Sequence, residues 1–458
     1  MRNETMFGPG KRISVPSRLG DTKSRSTALS LVVSALMVAH PLQAAAQPDD
    51  RDELLDRIDQ LETRVGELES TAVLSEPETR VRRIEVWVDE NGEQYDEEQP
   101  GTEPVVTYQR ERVYRRQLIN DKIESALDDA AANSVEIGVD AAIVFQNAQQ
   151  RSGPVTIADG NSYQLASTDL FFTAGIAQYT VFFADIVGLS GTPPDDEIMG
   201  LNLLNGYTAR LVEQNGLNLR EAWLMTELLD QRLLLTAGRL DLTAFFDHNA
   251  VANDESSQFL SDPLVNNPML GLSENGAGLA AVYDPKNGFT AKFGYQQSSS
   301  SATNLSDSLF YLAEVGNLFN PFGLGEGNYR VWYRKDNSSG VNREAHGVSI
   351  DQRVSPLVTL FARYGAAEAD TLEDDKFYSA GVQFQDGLIF NPEDSWGIGY
   401  TRTELGTKDE ESLVEVYYNF NLTERLNLAA HLTHVTEEPA GDEKVSYFVP
   451  GLRLQASF

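Results

Sequence analysis

The C-terminal segment of the chain constrains its fold most. From position 452 onward apolar and polar residues alternate: Leu452, Arg453, Leu454, Gln455, Ala456, Ser457 and Phe458. Because successive side chains of a β-strand point to opposite faces, this alternation predicts a strand with one apolar and one polar face. Such strands are typical of closed transmembrane β-barrels, and the aromatic end resembles the terminal strand that the bacterial outer-membrane assembly machinery recognises. An edge strand of a soluble β-protein is the alternative.

Composition excludes several classes of protein. The 458 residues suffice for one large barrel and a small accessory region. The absence of cysteine excludes disulfides and thiolate chemistry, and a formal net charge of −33 argues against a nucleic-acid partner. Beyond the N-terminal leader, no apolar run approaches the roughly 20 residues of a helical span. A mean hydropathy of −0.32 suits a barrel, because residues that face its lumen are polar.

Residues 1–46 have the organisation of a secretory signal peptide. An apolar run from Ala28 to Ala39 is followed by small residues, Ala44 to Ala46, that suit cleavage before Gln47. Met6 is an alternative start. The basic residues that precede the apolar run are Arg2, Lys11, Arg12, Arg18, Lys23 and Arg25.

Residues 47–75 have a heptad pattern that predicts a short coiled-coil stalk. Apolar residues recur at alternating spacings of four and three: Leu54, Ile58, Leu61, Val65 and Leu68. About two heptads are marginal alone, so the pattern favours a homotrimer held together by its barrels, with the stalk in the periplasm and in contact with the cell wall. An amphipathic helix packed on its own chain is the alternative.

Residues 76–134 are predicted to form a periplasmic spacer. Strand-like alternation over 80–117 with turn residues at Pro100 and Gly101 indicates a β-hairpin or small β-module, and 119–133 has helical spacing. No residue pattern for chemistry is evident here.

Residues 135–458 are predicted to form an all-β, antiparallel transmembrane barrel of about sixteen strands. The predicted strands lie near 135–147, 167–178, 206–213, 217–226, 231–242, 276–285, 287–297, 308–316, 328–335, 345–354, 357–365, 377–386, 394–403, 411–420, 425–435 and 445–458. The stretch 167–187 is alternatively two strands.

Connection lengths test this strand count. Short turns at 284–288, 355–356, 421–424 and near Asp230 fall on the periplasmic side, and the loops 366–376, 404–410 and 436–444 fall outside. Two longer connections, 188–205 and 317–327, are also predicted to be periplasmic. The segment 243–275 becomes the third external loop, and a loop of that length in a compact protein is usually functional.

The region around this loop is similar to the carbohydrate-selective porin (OprB-type) family. The residues that carry the resemblance are Gly238–Thr243, Phe245–Glu255, Gln258–Leu260 and Val265–Asn267, after Glu221–Leu224. The resemblance covers about 135–458 and implies an outer-membrane channel for sugars or other small polar solutes, in which the loop folds into the lumen and narrows it. The coiled coil lies outside the sugar-porin core and resembles stalks added to porins of some bacterial lineages.

Diffusion through a channel requires polar groups along a constriction rather than a nucleophile. Strand parity assigns Leu234, Thr236 and Leu240 to the lipid face and Arg239 to the lumen, because an arginine facing lipid costs about 2–4 kcal/mol. The predicted pore residues are Arg239, Asp241, Asp247, His248, Asp254, Glu255, Lys292, Arg330, Arg334, Arg353 and Arg363, with Arg239 as the principal candidate. The alternative is that several of these arginines pair with carboxylates such as Asp351 and Glu415 and stiffen the wall.

Two further interpretations concern the surface. Trp223 and Trp332 are assigned to the membrane-interface girdle, with a lumen-facing position as the alternative. The external loops are acidic, which is typical of a solvated surface and also suits divalent bridges to lipopolysaccharide. These acidic residues are Glu368, Asp370, Glu373, Asp374, Asp375, Asp409, Glu410, Glu411, Glu437, Glu438, Asp442 and Glu443.

Other functional classes have less support. The five histidines form no sequence cluster, no serine lies in a G-x-S-x-G motif, and no cofactor or metal is expected. The main alternatives to a sugar channel are a general non-selective porin and a structural envelope protein that links the outer membrane to the cell wall.

Overall fold

The structure is a computed structural model that describes three strands between residues 79 and 112 and most of residues 135–458. Within the second region it omits 178, 230, 300–303, 305, 338–341, 370–372, 386, 388–390, 392–393 and 424. The predicted signal peptide, stalk and helix at 119–133 lie outside the described residues. The three strands are β1 (Thr79–Val88), β2 (Gln94–Tyr95) and β3 (Glu103–Arg112), and they form a separate sheet in the order β2-β1-β3.

The second unit is a closed antiparallel barrel. Its segments are β4 (Val135–Asn147), β5 (Gln149–Ser152), β6 (Ser162–Ala177), β7 (Thr180–Thr192), β8 (Gly216–Leu228), β9 (Leu233–Leu240), β10 (Gly276–Tyr283), β11 (Phe289–Gln297), β12 (Leu309–Phe319), β13 (Gly327–Asp336), β14 (Arg343–Ser355), β15 (Val358–Ala367), β16 (Asp375–Phe384), β17 (Ser395–Glu404), β18 (Glu410–Thr423), β19 (Leu426–Glu438) and β20 (Val445–Ser457). Because β4 and β5 both pair with β20 and only Ala148 separates them, the seventeen segments form sixteen barrel strands.

The barrel closes at a seam between β20 and β4. The backbones of Val139 and Phe458 exchange two hydrogen bonds, with N–O distances of 3.1 and 2.9 Å. Along β20, Leu452 is 52% exposed on the outside, whereas Arg453 is 1% exposed on the inside. The strand predicted from the C-terminal alternation, with its apolar face outward, is therefore confirmed.

The outer face of the barrel carries an apolar belt. Exposed outward residues include Val135, Ile137, Phe145, Leu224, Phe293, Val315, Val331, Leu360, Ile398, Val414, Leu432 and Leu452. Alternating strands expose this surface on one face only, as expected for contact with lipid. Among the described residues, no helix is both long and apolar enough to cross a membrane.

Outward tyrosine and tryptophan residues are unevenly distributed around the belt. On β10 to β20 they are Tyr283, Tyr295, Tyr311, Tyr329, Tyr333, Tyr364, Tyr378, Trp396, Tyr400 and Tyr418. In the described strands β4 to β9, none faces outward, because Tyr163 and Trp223 are both buried on the inner face. The strands of one sector of the belt therefore lack outward tyrosine and tryptophan, the residues that are usually enriched at a membrane interface.

Two sequence predictions fail between residues 167 and 215. The stretch 167–187 contains parts of two strands, β6 and β7, as the alternative proposed, and 206–213 is not a strand. Instead, Gly206–Arg210 forms a 3-10 helix that begins at Asn205, whose side chain accepts a hydrogen bond from Tyr207 N, and ends at Leu211 in a left-handed conformation. The two errors compensate, so the count of sixteen and the position of the long loop between the fifth and sixth strands are both correct.

The same region corrects the predicted side of one connection. Since antiparallel strands alternate in direction, 193–215 lies at the same end of the barrel as 241–275, whereas the sequence assigned 188–205 to the opposite, periplasmic end. The other connections, including the one at 320–326, alternate between the two ends as predicted. The misplacement arose because apolar residues of 193–215 are buried inside the barrel and imitate the alternation of a strand.

Candidate functional site: a constriction inside the barrel

The loop 241–275 folds into the barrel and packs against its inner wall. It contains a 3-10 helix (Leu242–Phe245), a short helix α1 (Asp262–Val265) and a second 3-10 helix (Pro268–Leu270). Phe259 and Leu264 are fully buried against Gly397 and Gly399 of β17. A Cβ atom on Gly399 would lie 2.5 Å from Leu264 Cδ2, so glycine is what permits this close approach.

Asp247 joins the loop to several strands of the wall. Its Oδ1 accepts from Trp332 Nε1 at 2.8 Å, and its Oδ2 lies 2.8 Å from Arg363 Nε. Its backbone N donates to Glu314 Oε2 at 2.7 Å, and its backbone O accepts from Arg363 at 3.1 Å. Asp247 has a φ of 54°, in the left-handed region that aspartate tolerates better than most residues. One loop residue is thus bound to β12, β13 and β15 together.

Glu415 of β18 holds a second point of the loop. Its two carboxylate oxygens accept from the backbone N–H groups of Leu260 and Ser261, at 2.7 and 2.8 Å. His431 Nδ1 lies 2.8 Å from Glu415 Oε1. On β20, Arg453 donates to the carbonyl of Gln258 at 3.1 Å. The tip of the loop is therefore fixed to β18 and β20, across the barrel from β9 and β10, which the loop connects, so the loop crosses the bore.

Basic residues of the wall also bind loop carbonyls. Lys292 Nζ donates to Phe245 O at 2.9 Å and pairs with Glu314 at 2.8 Å. Arg334 donates to Leu270 O at 3.1 Å, and Arg363 donates to Leu264 O at 3.2 Å. These long side chains fix the path of the loop, because backbone carbonyls inside a barrel need donors.

Arg239, the principal candidate from sequence, does not face the lumen. It is exposed on the outer face of β9, where its Nε donates to Leu219 O at 3.0 Å. The inner face of β9 instead carries Leu234, Thr236 and Leu240. Strand parity placed Arg239 inside on the expectation of a water-filled lumen, whereas apolar residues of the loop cover this part of the wall. At the end of its strand, an outward arginine can reach the polar edge of a membrane.

Both tryptophans assigned to the girdle face inward, so that assignment is wrong. Trp332 is 1% exposed and bonded to Asp247. Trp223 is buried and stacks on Phe183, with ring centroids 4.7 Å apart. Their surroundings include Leu242, Phe245, Phe246, Met269 and Leu270 of the loop. These aromatic residues seal the loop against one side of the wall.

The other predicted residues are distributed around the constriction. Asp241 pairs with Arg220 at 2.7 Å, His248 Nε2 lies 2.6 Å from Ala244 O, and Asp254 accepts from Ser256 and Ser257 within its own turn. Glu255 pairs with Arg210 at 2.8 Å, Arg330 pairs with Asp351 at 2.8 Å, and Arg353 is half-buried. Arg330 therefore follows the alternative in which arginine pairs with carboxylate on the wall.

Sequence reasoning missed several residues that hold the loop. Glu314 and Arg453 lie on the inner faces of β12 and β20, where strand parity alone would have nominated them. Arg210 was missed because its segment was predicted as a barrel strand and not as part of a connection that enters the bore.

A second segment, 193–215, also enters the bore and contains a perturbed carboxylate. Asp195 accepts from Leu204 N at 2.5 Å and from Thr208 Oγ1 at 3.1 Å. Loss of hydration outweighs these hydrogen bonds and raises the pKa of Asp195 to about 7. This group lies in a connection rather than in a strand.

A closed sixteen-stranded barrel with an apolar belt and an inward loop defines the porin fold. The structure of Pseudomonas putida OprB at high pH is similar, with a TM-score of 0.61 and 15% identity, over 76% of this chain and 99% of that chain. The low-pH structure of the same protein gives a TM-score of 0.50 and 14% identity, over 76% of this chain and 100% of that chain. The porin fold implied by the sequence resemblance is therefore confirmed.

Sequence comparison is less informative. An uncharacterized protein of Aquifex aeolicus (strain VF5) is 29% identical over 223 residues, which are 48% of this chain. The match spans 63% of the length of that relative. No protein-family model matches the chain.

Proposed function

We propose that this protein is an outer-membrane porin through which small hydrophilic solutes diffuse passively. The observation that carries the proposal is the loop 241–275, which crosses the bore of a closed barrel from its ends at β9 and β10 to Glu415 of β18, and which Asp247 also fixes to β12, β13 and β15. A fixed constriction inside a closed wall sets the width and polarity of a diffusion path. Solutes would move down their gradient without energy coupling.

For the solute, we propose carbohydrates or similar polyhydroxylated molecules. Support comes from the resemblance to the carbohydrate-selective porins and from the paired charges along the wall, where Arg330 and Asp351 lie close together. Planar guanidinium groups can donate paired hydrogen bonds to hydroxyl groups. We retain Asp241, Asp247, His248, Asp254, Glu255, Lys292, Arg330, Arg334, Arg353 and Arg363 as residues that line or shape the constriction.

For the whole chain, we propose an exported protein with a signal peptide at 1–46, a periplasmic coiled coil at 47–75, a spacer at 76–134 and the barrel at 135–458. The sector of β4 to β9 without outward tyrosine or tryptophan supports a homotrimer in which neighbouring barrels cover this face. The stalk would reach the cell wall, and the acidic external loops would contact lipopolysaccharide through divalent cations.

The experiment is solute-resolved swelling of liposomes that contain the protein purified from the outer membrane. Swelling that favours sugars over amino acids of similar size would support a carbohydrate channel. Uptake governed by size alone would make the protein a general porin. No swelling would refute the channel function and favour the structural envelope role, which deletion of 47–75 would test separately through envelope fragility. Arg239→Ala is a suitable control, since this residue faces outward.

A further inference from the structure

The segment 193–215 lies within the bore rather than above it. Glu411 of β18 accepts from Leu201 N at 2.7 Å and from Asn202 Nδ2 at 2.7 Å. Asn202 also bonds Thr403 of β17, with a distance of 2.9 Å from Nδ2 to Oγ1. These partners are buried residues on the inner faces of their strands, so the prediction of Glu411 as a surface residue of an external loop is wrong. Residues 201 and 202, near the middle of the segment, are therefore attached to the β17–β18 wall.

The middle and end of the segment are attached to other strands. Gln146 of β4 donates to Leu204 O at 3.2 Å and accepts from Asn205 Nδ2 at 3.0 Å. Arg210 then binds the inner face of β6, where it contacts Asp169 and donates to Ser167 Oγ at 3.0 Å. Between Asn202 and Arg210 the segment therefore runs from β17 and β18 to β4 and β6, which β19 and β20 separate from them in the barrel.

The segment is also joined to the loop 241–275. Gly206 N donates to Leu260 O at 2.7 Å, and Asp262 N donates to Leu203 O at 3.1 Å. At Gly206 a Cβ atom would lie 2.7 Å from the Cβ of Glu255, so the two backbones approach as closely as glycine allows. The obstruction inside the barrel is thus built from two separate external connections.

Arg210 joins the three parts of this arrangement. Its side chain is 4% exposed, and it pairs with Asp169 of the wall and, at 2.8 Å, with Glu255 of the long loop. Its guanidinium lies 4.5 Å from the ring centroid of Tyr207 in its own segment. Arginine suits this position because its planar group donates in several directions at once and stacks on aromatic rings.

We infer that 193–215 is a second pore-narrowing segment and that Arg210 is the residue that positions both segments across the bore. The inference rests on the proposed channel function. It predicts that pore size depends on Arg210 although this residue need not touch the solute. Removing it leaves two buried carboxylates without their cation, which strongly disfavours the inward arrangement.

The test compares Arg210→Met with Arg402→Met in planar bilayers. Arg402 is the matched control, because it also pairs with two carboxylates, Glu404 and Glu410, but lies on the outer face with 43% of its side chain exposed. We expect Arg210→Met to raise single-channel conductance roughly twofold and to admit larger sugars, since the bore widens when a segment leaves it. Arg402→Met should match the parent, and Arg210→Lys should lie between them.

Folded Arg210→Met with parental conductance and size cut-off would overturn the inference. Assembly is checked by heat-modifiable mobility on gels. If Arg210→Met does not assemble, Glu411→Ala releases the attachment of the segment at Leu201 and Asn202, and unchanged conductance in that variant would overturn the inference equally. A parent protein that does not conduct would refute the proposed function instead.

A chemical probe gives an independent readout. The chain has no cysteine, so Thr208→Cys introduces a single reactive thiol into the segment. Modification by a bulky charged methanethiosulfonate should reduce conductance by roughly half or more if residue 208 borders the bore. Lys286→Cys, in an exposed turn at the other end of the barrel, should react without this effect. A labelled Thr208→Cys channel with unchanged current would count against the inference.

Discussion

Replacement of Asp247 by alanine should release the long loop from one wall without unfolding the barrel. The substitution leaves the guanidinium of Arg363, whose side chain is fully buried, without its carboxylate. It also removes the acceptor of Trp332 Nε1 and places alanine at a φ of 54°. Because the barrel strands keep their own hydrogen bonds, the substitution destabilises the inward state of the loop and not the barrel.

The magnitude follows from these three losses. Removing one partner of a buried ion pair costs about 3–5 kcal/mol, an unsatisfied buried donor about 1–3 kcal/mol, and a left-handed alanine about 1–2 kcal/mol. The first cost falls at the low end, because Arg363 keeps its hydrogen bonds to the carbonyls of Asp247 and Leu264. Because the contacts share one site and are not additive, we expect about 4–8 kcal/mol against the inward state. A free-energy change of this size makes the released state of the loop more populated than the inward state, unless the Glu415 contacts stabilise the inward state by more than this amount.

The assay is single-channel recording in planar bilayers, with conductance and current noise as readouts. Asp247→Ala should give higher and noisier currents, and Asp247→Asn, which keeps an oxygen for Trp332, should give a smaller change. The control is Asp394→Ala, which also removes a buried carboxylate, one that accepts from Tyr418 Oη and Asn421 N next to the start of β17 and contacts neither of the described loops inside the bore. Currents of Asp247→Ala equal to those of the parent in both mean and noise would refute the reasoning.

Three further predictions concern pH, packing and insertion. Because the pKa of Asp195 is raised from 3.8 to about 7, its stabilisation of the inward 193–215 segment is fully present below about pH 4 and is lost as pH rises through about 7. Conductance should therefore increase from pH 5 to pH 8, and Asp195→Asn should flatten this dependence; an unchanged profile would contradict the assignment. Gly399→Leu should displace Leu264 from the wall at a cost of about 1–3 kcal/mol, seen as increased protease cleavage of the loop. Val331→Arg, in the outer belt, should weaken the folded state in lipid by about 2–4 kcal/mol, measured by urea unfolding in vesicles, whereas equal stability would argue against a lipid-facing belt.

The alternation of apolar and polar residues predicted most of the barrel strands, because most strands have one face toward lipid and one toward the interior. The strand expected at 394–403 is Ser395–Glu404, and that expected at 445–458 is Val445–Ser457. The same pattern misled at 206–213, where Tyr207 is buried inside the barrel rather than against lipid. An alternating sequence shows that the two faces of a segment have different surroundings, but it does not show whether the apolar face meets lipid or the interior of the barrel.

The constriction was predictable only in part for the same reason. Asp247 was nominated because it lies in the long loop, but its partners Trp332, Glu314 and Arg363 come from three strands whose arrangement requires the register of the whole sheet. Arg239 was misassigned because parity separates two faces and cannot state which one is dry. Where apolar loop residues fill a lumen, the usual polarity of the inner face is reversed.

The seam between β4 and β20 has a consequence for folding kinetics. The hydrogen bond from Ser457 Oγ to Asp140 Oδ1 joins residues separated by 317 positions. Pairings of such high contact order form slowly, because the entropy of ordering the intervening chain is lost before they are made. Until then, both edge strands offer unpaired backbone groups to any other extended chain. The rate at which this seam closes, rather than the strength of any single contact inside the barrel, should therefore govern how much newly exported protein is lost to aggregation.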